Sequence, residues 1–243
     1  MSKIYEALQY AQKMKKGKDP VARSLIPFAP PEQADTELGE EMLSLYKMID
    51  ALLSDGAAKI IQFIGSREGE GTSTVAREYA RVCADLIGHS VLLLDADRYQ
   101  PVQAHYFDVR NEYGWIDALK KGDQTGSAYY RIGQSTLCMS PSCNSSTSTP
   151  EIFKSPIFAG LCEALKADFD LVLIDSAPLS VSPDGLAIAS KVDGVILVVE
   201  SEKTRWHAVK QAQESISMVG GKVLGIVLNK RRHYIPQALY KYL

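Results

Sequence analysis

From Lys59 onward the chain alternates short apolar runs with stretches whose apolar residues recur every three or four positions. That rhythm predicts βαβ units around a largely parallel sheet. Strands are expected near Lys59–Ile64, Ser90–Asp95, Leu137–Ser140, Leu171–Asp175, Gly194–Glu200 and Val223–Asn229, and helices over Ser73–Ile87, Trp115–Lys120, Ile157–Ala167, Pro183–Lys191 and Thr204–Val219. Upstream, Leu38, Met42, Leu45, Met48 and Leu52 form the apolar stripe of a helix from Asp35 to Leu53. A shorter amphipathic helix, capped by Ser2 and running to about Lys16, carries Ile4, Leu8, Ala11 and Met14 on one face, with Lys13, Lys15, Lys16 and Lys18 at its exit. Such a helix docks on a partner, folds back on its own domain, or lies on anionic lipid. The stretch from Gly17 to Gln33, with Pro20, Pro27, Pro30 and Pro31, reads as an extended linker. The chain thus divides into an N-terminal arm (1–34), an α/β domain (35–230) and a C-terminal tail (231–243).

The first strand of the domain empties through Gly65, Gly69 and Gly71 into a helix that begins near Ser73. A strand, a glycine turn and a helix start gather backbone N–H groups at the positive end of a helix dipole, the layout of a phosphate-binding P-loop. Gly69, Glu70, Gly71, Thr72, Ser73 and Thr74 are the candidate nucleotide-binding residues. The usual loop adds a lysine for the β and γ phosphates and a hydroxyl for magnesium. Here Ser73 keeps the hydroxyl and Thr72 stands where the lysine belongs. Losing a charge-assisted hydrogen bond costs roughly 1.5–3 kcal/mol, about ten- to a hundred-fold in affinity. Phosphoryl transfer loses more, because that lysine also offsets charge in the transition state. Arg67, in the same loop, is the candidate to supply the missing charge and so a candidate catalytic residue.

In sheets of this class ligands sit at the carboxyl ends of strands, so polar residues there are singled out. VLLLDADR ends in Asp95 and Asp97, and LVLIDSAP ends in Asp175. Magnesium prefers oxygen ligands, commonly one or two carboxylates with water and phosphate, so Asp95, Asp97 and Asp175 beside Ser73 form a candidate Mg·nucleotide site. A turn or helix cap is the other reading of each aspartate taken alone.

A formal net charge of -2 gives no electrostatic case for nucleic acid. With 46% hydrophobic residues in 243, the chain is long enough for a sizeable core. Cys83, Cys138, Cys143 and Cys162 lack CxxC pairs and none of the four histidines is spaced to complete a zinc site, which suits reduced cytosolic thiols. The apolar runs fall short of the ~20 residues needed to span a bilayer. Ser140 to Thr149 has no apolar periodicity and reads as a solvated loop.

GEGTST, LLLDADR, LVLIDSAPL, DGVILVVES and VLGIVLNK together resemble the Walker A, Walker A′, Walker B and later strands of the bacterial tyrosine kinases of capsule and exopolysaccharide assembly. MSKIYEALQYAQK is similar to the N-terminal arm of their exosortase-associated branch. The resemblance implies a P-loop NTPase fold of MinD/ParA type, a three-layer sandwich with a mostly parallel sheet. It implies ATP or ADP with Mg²⁺ as ligands, Ser73 on the metal, Asp175 on it through water, and Asn229 against adenine. Asp95 and Asp97 are implied as catalytic carboxylates that contribute to metal binding, Asp97 as a ligand, and activate a tyrosine hydroxyl. It further implies a cytoplasmic protein held at the inner face of the membrane by a polysaccharide co-polymerase or chain-length regulator, a possible homo-oligomer, and phosphoacceptors among Tyr234, Tyr240 and Tyr242 of the tail.

The chain departs from the family pattern at three places. Thr72 replaces the Walker lysine. Arg98 lies one residue before the expected arginine position, which holds Tyr99. In the family's ExxRxxR oligomerisation helix the matching residues are Glu41, Ser44 and Lys47. The leading expectation is therefore a kinase-like regulator that binds nucleotide without efficient phosphotransfer. An active autokinase and a positioning ATPase like MinD are the alternatives.

Overall fold

The computed structural model describes residues 22, 24–27, 36–53, 58–109, 113–121, 125–142, 152–153 and 156–231. The expected N-terminal helix, residues 143–149 of the expected loop, and Tyr234, Tyr240 and Tyr242 lie outside the described residues. The start of that loop, Ser140 to Ser142, is buried and not solvated, because Ser140 ends a strand of the sheet.

The described strands are β1 (Ser24–Ile26), β2 (Lys59–Gly65), β3 (Val91–Asp95), β4 (Tyr130–Ile132), β5 (Leu137–Ser140), β6 (Leu171–Asp175), β7 (Gly194–Glu200) and β8 (Val223–Asn229). They form one sheet in the order β1-β4-β5-β3-β6-β2-β7-β8, parallel at every pairing except β4 with β5. The described helices are α1 (Thr36–Leu52), α2 (Thr72–Val82), α3 (Gln103–Tyr106), α4 (Trp115–Lys121), α5 (Pro156–Asp168), α6 (Asp184–Ala189) and α7 (Trp206–Met218).

The central strands are continuous apolar runs because both faces of the sheet are covered. On one face Ile61, Phe63, Leu93 and Leu173 pack with α1 and α2 through Met42, Ile49, Val75, Ala76 and Tyr79. On the other, Leu92, Leu94, Val172 and Ile174 meet Trp115, Phe158 and Leu165 of α4 and α5, while Val195 and Leu197 meet Val209 and Ile216 of α7. The result is the expected three-layer sandwich.

Each predicted strand is present, its ends within one residue of those expected. Two strands were not expected. β1 lies inside the stretch read as a linker and pairs in parallel with β4, placing Ser24, Leu25 and Ile26 beside Tyr130, Arg131 and Ile132. The helix expected over Ser73–Ile87 ends as regular α-helix at Val82 and continues as a wider π-helical turn, Cys83–Ile87, closed by Gly88 in the left-handed region. Cys83, Cys138 and Cys162 are buried free thiols. Glu41, Ser44 and Lys47 share the exposed side of α1.

β2 sits between β6 and β7, and the chain passes from β2 to β3 on one side before later filling β7 on the other. The carboxyl end of β2 is therefore a topological switch point, where such sheets open a crevice.

Candidate nucleotide site

β2 ends at Gly65 because the chain must turn there without a side chain: a Cβ at this position would lie 2.7 Å from the Thr72 hydroxyl oxygen and 3.1 Å from Glu70 Oε2. Gly69 and Gly71 follow at φ 80° and 85°, with Glu70 between them outside that region. This alternation of handedness folds successive N–H groups into one concavity, a nest for an anion. Gly71 also precedes α2, which starts at Thr72, so the nest opens onto a helix N-terminus.

Glu70 braces the loop from behind. Its side chain is buried, and it accepts from the Ser66 hydroxyl (2.8 Å), the Arg67 backbone N–H (2.8 Å) and the Thr204 hydroxyl (2.5 Å). Of the residues named from sequence, Glu70 thus offers a ligand its backbone, while its carboxylate is spent inside the protein. Thr204→Val removes a bond to a buried carboxylate and is expected to lower the unfolding free energy by about 1.5–3 kcal/mol in urea denaturation.

A cleft beside the loop is lined by Arg67, Gly69, Gly71, Thr72, Ser73 and Thr74 on one wall, with Asp97, Tyr99 and Ser176 among the residues opposite. Arg67 is exposed, whereas Thr72 is 7% exposed, packed toward Gly65. The aspartates converge because β3 and β6 pair in register, which sets Asp95 beside Asp175. Asp97 Oδ1 accepts from the Tyr99 and Gln100 N–H groups at 2.9 and 3.0 Å, a turn that presents it to the cleft. Asp95 lies deeper, Oδ1 accepting from Asp97 N–H (3.1 Å) and Oδ2 from Gln103 N–H (3.2 Å).

Asp175 is fully buried; the Gln103 amide donates to its Oδ2 (2.8 Å), and its Oδ1 has no hydrogen-bond partner among the described residues, with Ser73 close enough to favour the charged carboxylate. Burial, opposed by the Gln103 bond and the nearby Ser73 hydroxyl, raises its pKa to about 6. Burial and the neighbouring Asp175 push Asp95 well above the usual carboxylate range. Two desolvated carboxylates side by side, one with an orphan oxygen next to a serine hydroxyl, are a poor arrangement for an isolated fold and a good one for a hard cation. No three His, Cys, Asp or Glu side chains converge as a metal cage among the described residues. The oxygens present fit magnesium, which completes its shell with water and phosphate.

Several participants had no signal in the sequence. Gln103 is fully buried and ties the site together: its amide nitrogen also donates to the Ser73 carbonyl (2.9 Å), and Arg77 Nη1 donates to its Oε1 (3.4 Å). Arg98, displaced in the motif, pairs with buried Asp184 (2.8 Å). Asn229 does not line the cleft; its Nδ2 donates to the Glu70 carbonyl at 2.9 Å.

The model of the family "Cellulose biosynthesis protein BcsQ" matches residues 58–219, more than half of the chain. Tyrosine-protein kinase CpsD of Streptococcus agalactiae is 31% identical over 173 residues, covering 71% of this chain and 75% of that protein. Among solved structures, the kinase domain of Escherichia coli tyrosine kinase ETK superposes with a TM-score of 0.76 at 18% identity, over 90% of this chain and 94% of that one. The cell division ATPase MinD of Pyrococcus furiosus gives 0.61 at 19% identity, over 76% and 78%. At these identities the structural likeness is one of fold. With the family model and the relative taken together, the chain belongs to the bacterial tyrosine kinase family, on the BcsQ and MinD/ParA type of P-loop fold.

Proposed function

We propose that this protein binds a magnesium nucleotide, ATP or ADP, at the Gly65–Thr74 loop and uses that occupancy to regulate a membrane polysaccharide co-polymerase or chain-length regulator. Thr72 in place of lysine suppresses phosphotransfer. The observation that carries this reading is Asp175: a buried carboxylate held by Gln103, with one oxygen unpartnered, near Ser73 and a glycine-built nest.

In this reading the N–H groups from Gly69 to Thr74 wrap the phosphates, while Ser73 and Asp175 hold the magnesium, directly or through water. Bound magnesium neutralises phosphate charge. In the same reading Asp97, which lines the cleft, takes a proton from a hydroxyl, and Asp95, which accepts from the Asp97 N–H, supports it. No described helix is long and apolar enough to cross a membrane. Attachment to the inner face of the membrane is assigned to the partner or to the basic N-terminal helix.

An active autokinase is the second reading, favoured by the presence of Asp95, Asp97 and Asp175 at adjoining strand ends. Mass spectrometry of Tyr234, Tyr240 and Tyr242 after incubation with Mg·ATP separates the two. The regulator predicts only trace phosphate on the wild-type tail. Near-stoichiometric phosphotyrosine that disappears in Asp97→Asn would establish the autokinase instead.

A further inference from the structure

A loop whose N–H groups point inward turns its carbonyls outward, and those carbonyls need partners of their own. Here two consecutive carbonyls are gripped from the end of β8. Asn229 Nδ2 donates to the Glu70 carbonyl at 2.9 Å, and the Lys230 ammonium donates to the Gly69 carbonyl. A Cβ on Gly71 would collide with Asn229 Nδ2 and sit 3.8 Å from Lys230 Cε, so the Asn229 amide fills the space that this glycine leaves open.

Lys230 is one of three non-glycine residues at positive φ among the described residues, at 57°. A lysine rarely takes that conformation without compensation, and the bend brings its side chain back over the loop. Its other contact is Glu200 Oε2 at 3.6 Å, but Glu200 is closer to Lys203, at 2.6 Å. The carboxylate is shared by two ammonium groups, so positive charge remains at the loop.

We propose that Asn229 and Lys230 form a latch on the carbonyl side of the phosphate loop, and that Lys230 supplies from behind the positive charge that Thr72 does not supply from within. The proposal rests on the nucleotide-binding reading above. The physical route is short. Gly69 C=O and Glu70 N–H belong to one peptide group, as do Glu70 C=O and Gly71 N–H. An ammonium on the first carbonyl and an amide on the second polarise both peptides and strengthen their N–H groups as donors into the nest. Lys230 is a positioning residue that reaches the phosphates through the loop it holds.

The test is Mg·ADP titration of the full chain with Lys230→Met, Lys230→Arg and Asn229→Ala, each also in a Thr72→Lys background, alongside ¹⁵N spectra of the nucleotide-free proteins. The latch predicts about tenfold weaker binding for Lys230→Met, recovery to within about threefold for Lys230→Arg, and a clearly smaller effect of Lys230→Met once position 72 is lysine. It also predicts that the Glu70 amide resonance moves in Lys230→Met and the Gly71 resonance in Asn229→Ala. Unchanged affinity in Lys230→Met, or an equal loss with either residue at position 72, overturns it. Absence of binding by the wild-type chain fails the nucleotide reading itself and carries the charge assignment with it. Wild-type binding that Lys230→Met leaves intact fails the latch alone.

Discussion

Thr72→Lys is expected to tighten Mg·ADP binding by about ten- to a hundred-fold, the counterpart of a charge-assisted hydrogen bond worth roughly 1.5–3 kcal/mol. Position 72 is the first residue of α2, directly after the left-handed Gly71, so a side chain there leaves the backbone at the mouth of the nest. Threonine is too short to follow the phosphates outward, and its hydroxyl packs toward Gly65. A lysine carries its ammonium past that point. The gain in phosphotransfer should exceed the gain in binding, because charge on the transferring phosphoryl group grows toward the transition state. Calorimetry checks the first part and phosphate incorporation into the tail the second. Affinity unmoved by Thr72→Lys would mean that something other than the missing cation limits the loop.

Asp175→Asn is expected to make the protein more stable at neutral pH while weakening its binding of Mg·ADP by at least about tenfold. The folded protein holds Asp175 at a pKa raised to about 6, with burial as the principal cause. The fold therefore favours the protonated acid. That contribution is fully present below the unfolded value near ~4 and is lost as pH rises through about 6. At pH 7.5 the ionised Asp175 costs the fold of the order of 2–3 kcal/mol, a cost that asparagine does not carry. For a domain of this size the melting temperature should rise by roughly 4–12 °C at pH 7.5, and the difference should close toward pH 4. Binding moves the other way, because magnesium requires the ionised carboxylate: wild-type affinity for Mg·ADP should increase from pH 5 to pH 7.5. Thermal unfolding of both proteins across this range checks the sign. A variant less stable than wild type at pH 7.5 would show that Asp175 is a structural hydrogen-bond acceptor, not a carboxylate held for a ligand.

The fold was legible in the sequence wherever burial on both faces of the sheet demanded a near-continuous apolar run. IIQFIG, VLLLD, LVLID and GVILVVE are such runs, and their carboxyl ends carried the glycines and aspartates of the site. β1 and β4 were not legible, because three residues at the periphery of a sheet are too few to show a period, and Ser24–Ile26 stands among prolines. The site was half legible. A glycine that must adopt positive φ and an aspartate that ends a buried strand announce themselves by residue type and position. A neutral side chain that earns its place through three-dimensional contacts does not, which is why Gln103 and Thr204 were missed. The same limit explains Glu70 and Asn229. Their position beside the loop was readable, but that Glu70 turns its carboxylate inward and Asn229 spends its amide on a loop carbonyl depends on side-chain directions that spacing does not encode.

The most direct measurement is isothermal titration of the wild-type chain with ADP at pH 7.5, with and without magnesium. The glycine nest and the Asp175–Ser73 pair predict saturable one-site binding that weakens by at least tenfold when magnesium is withheld or Asp175 becomes asparagine. No heat and no competition at millimolar nucleotide, or binding indifferent to both magnesium and Asp175, would contradict it.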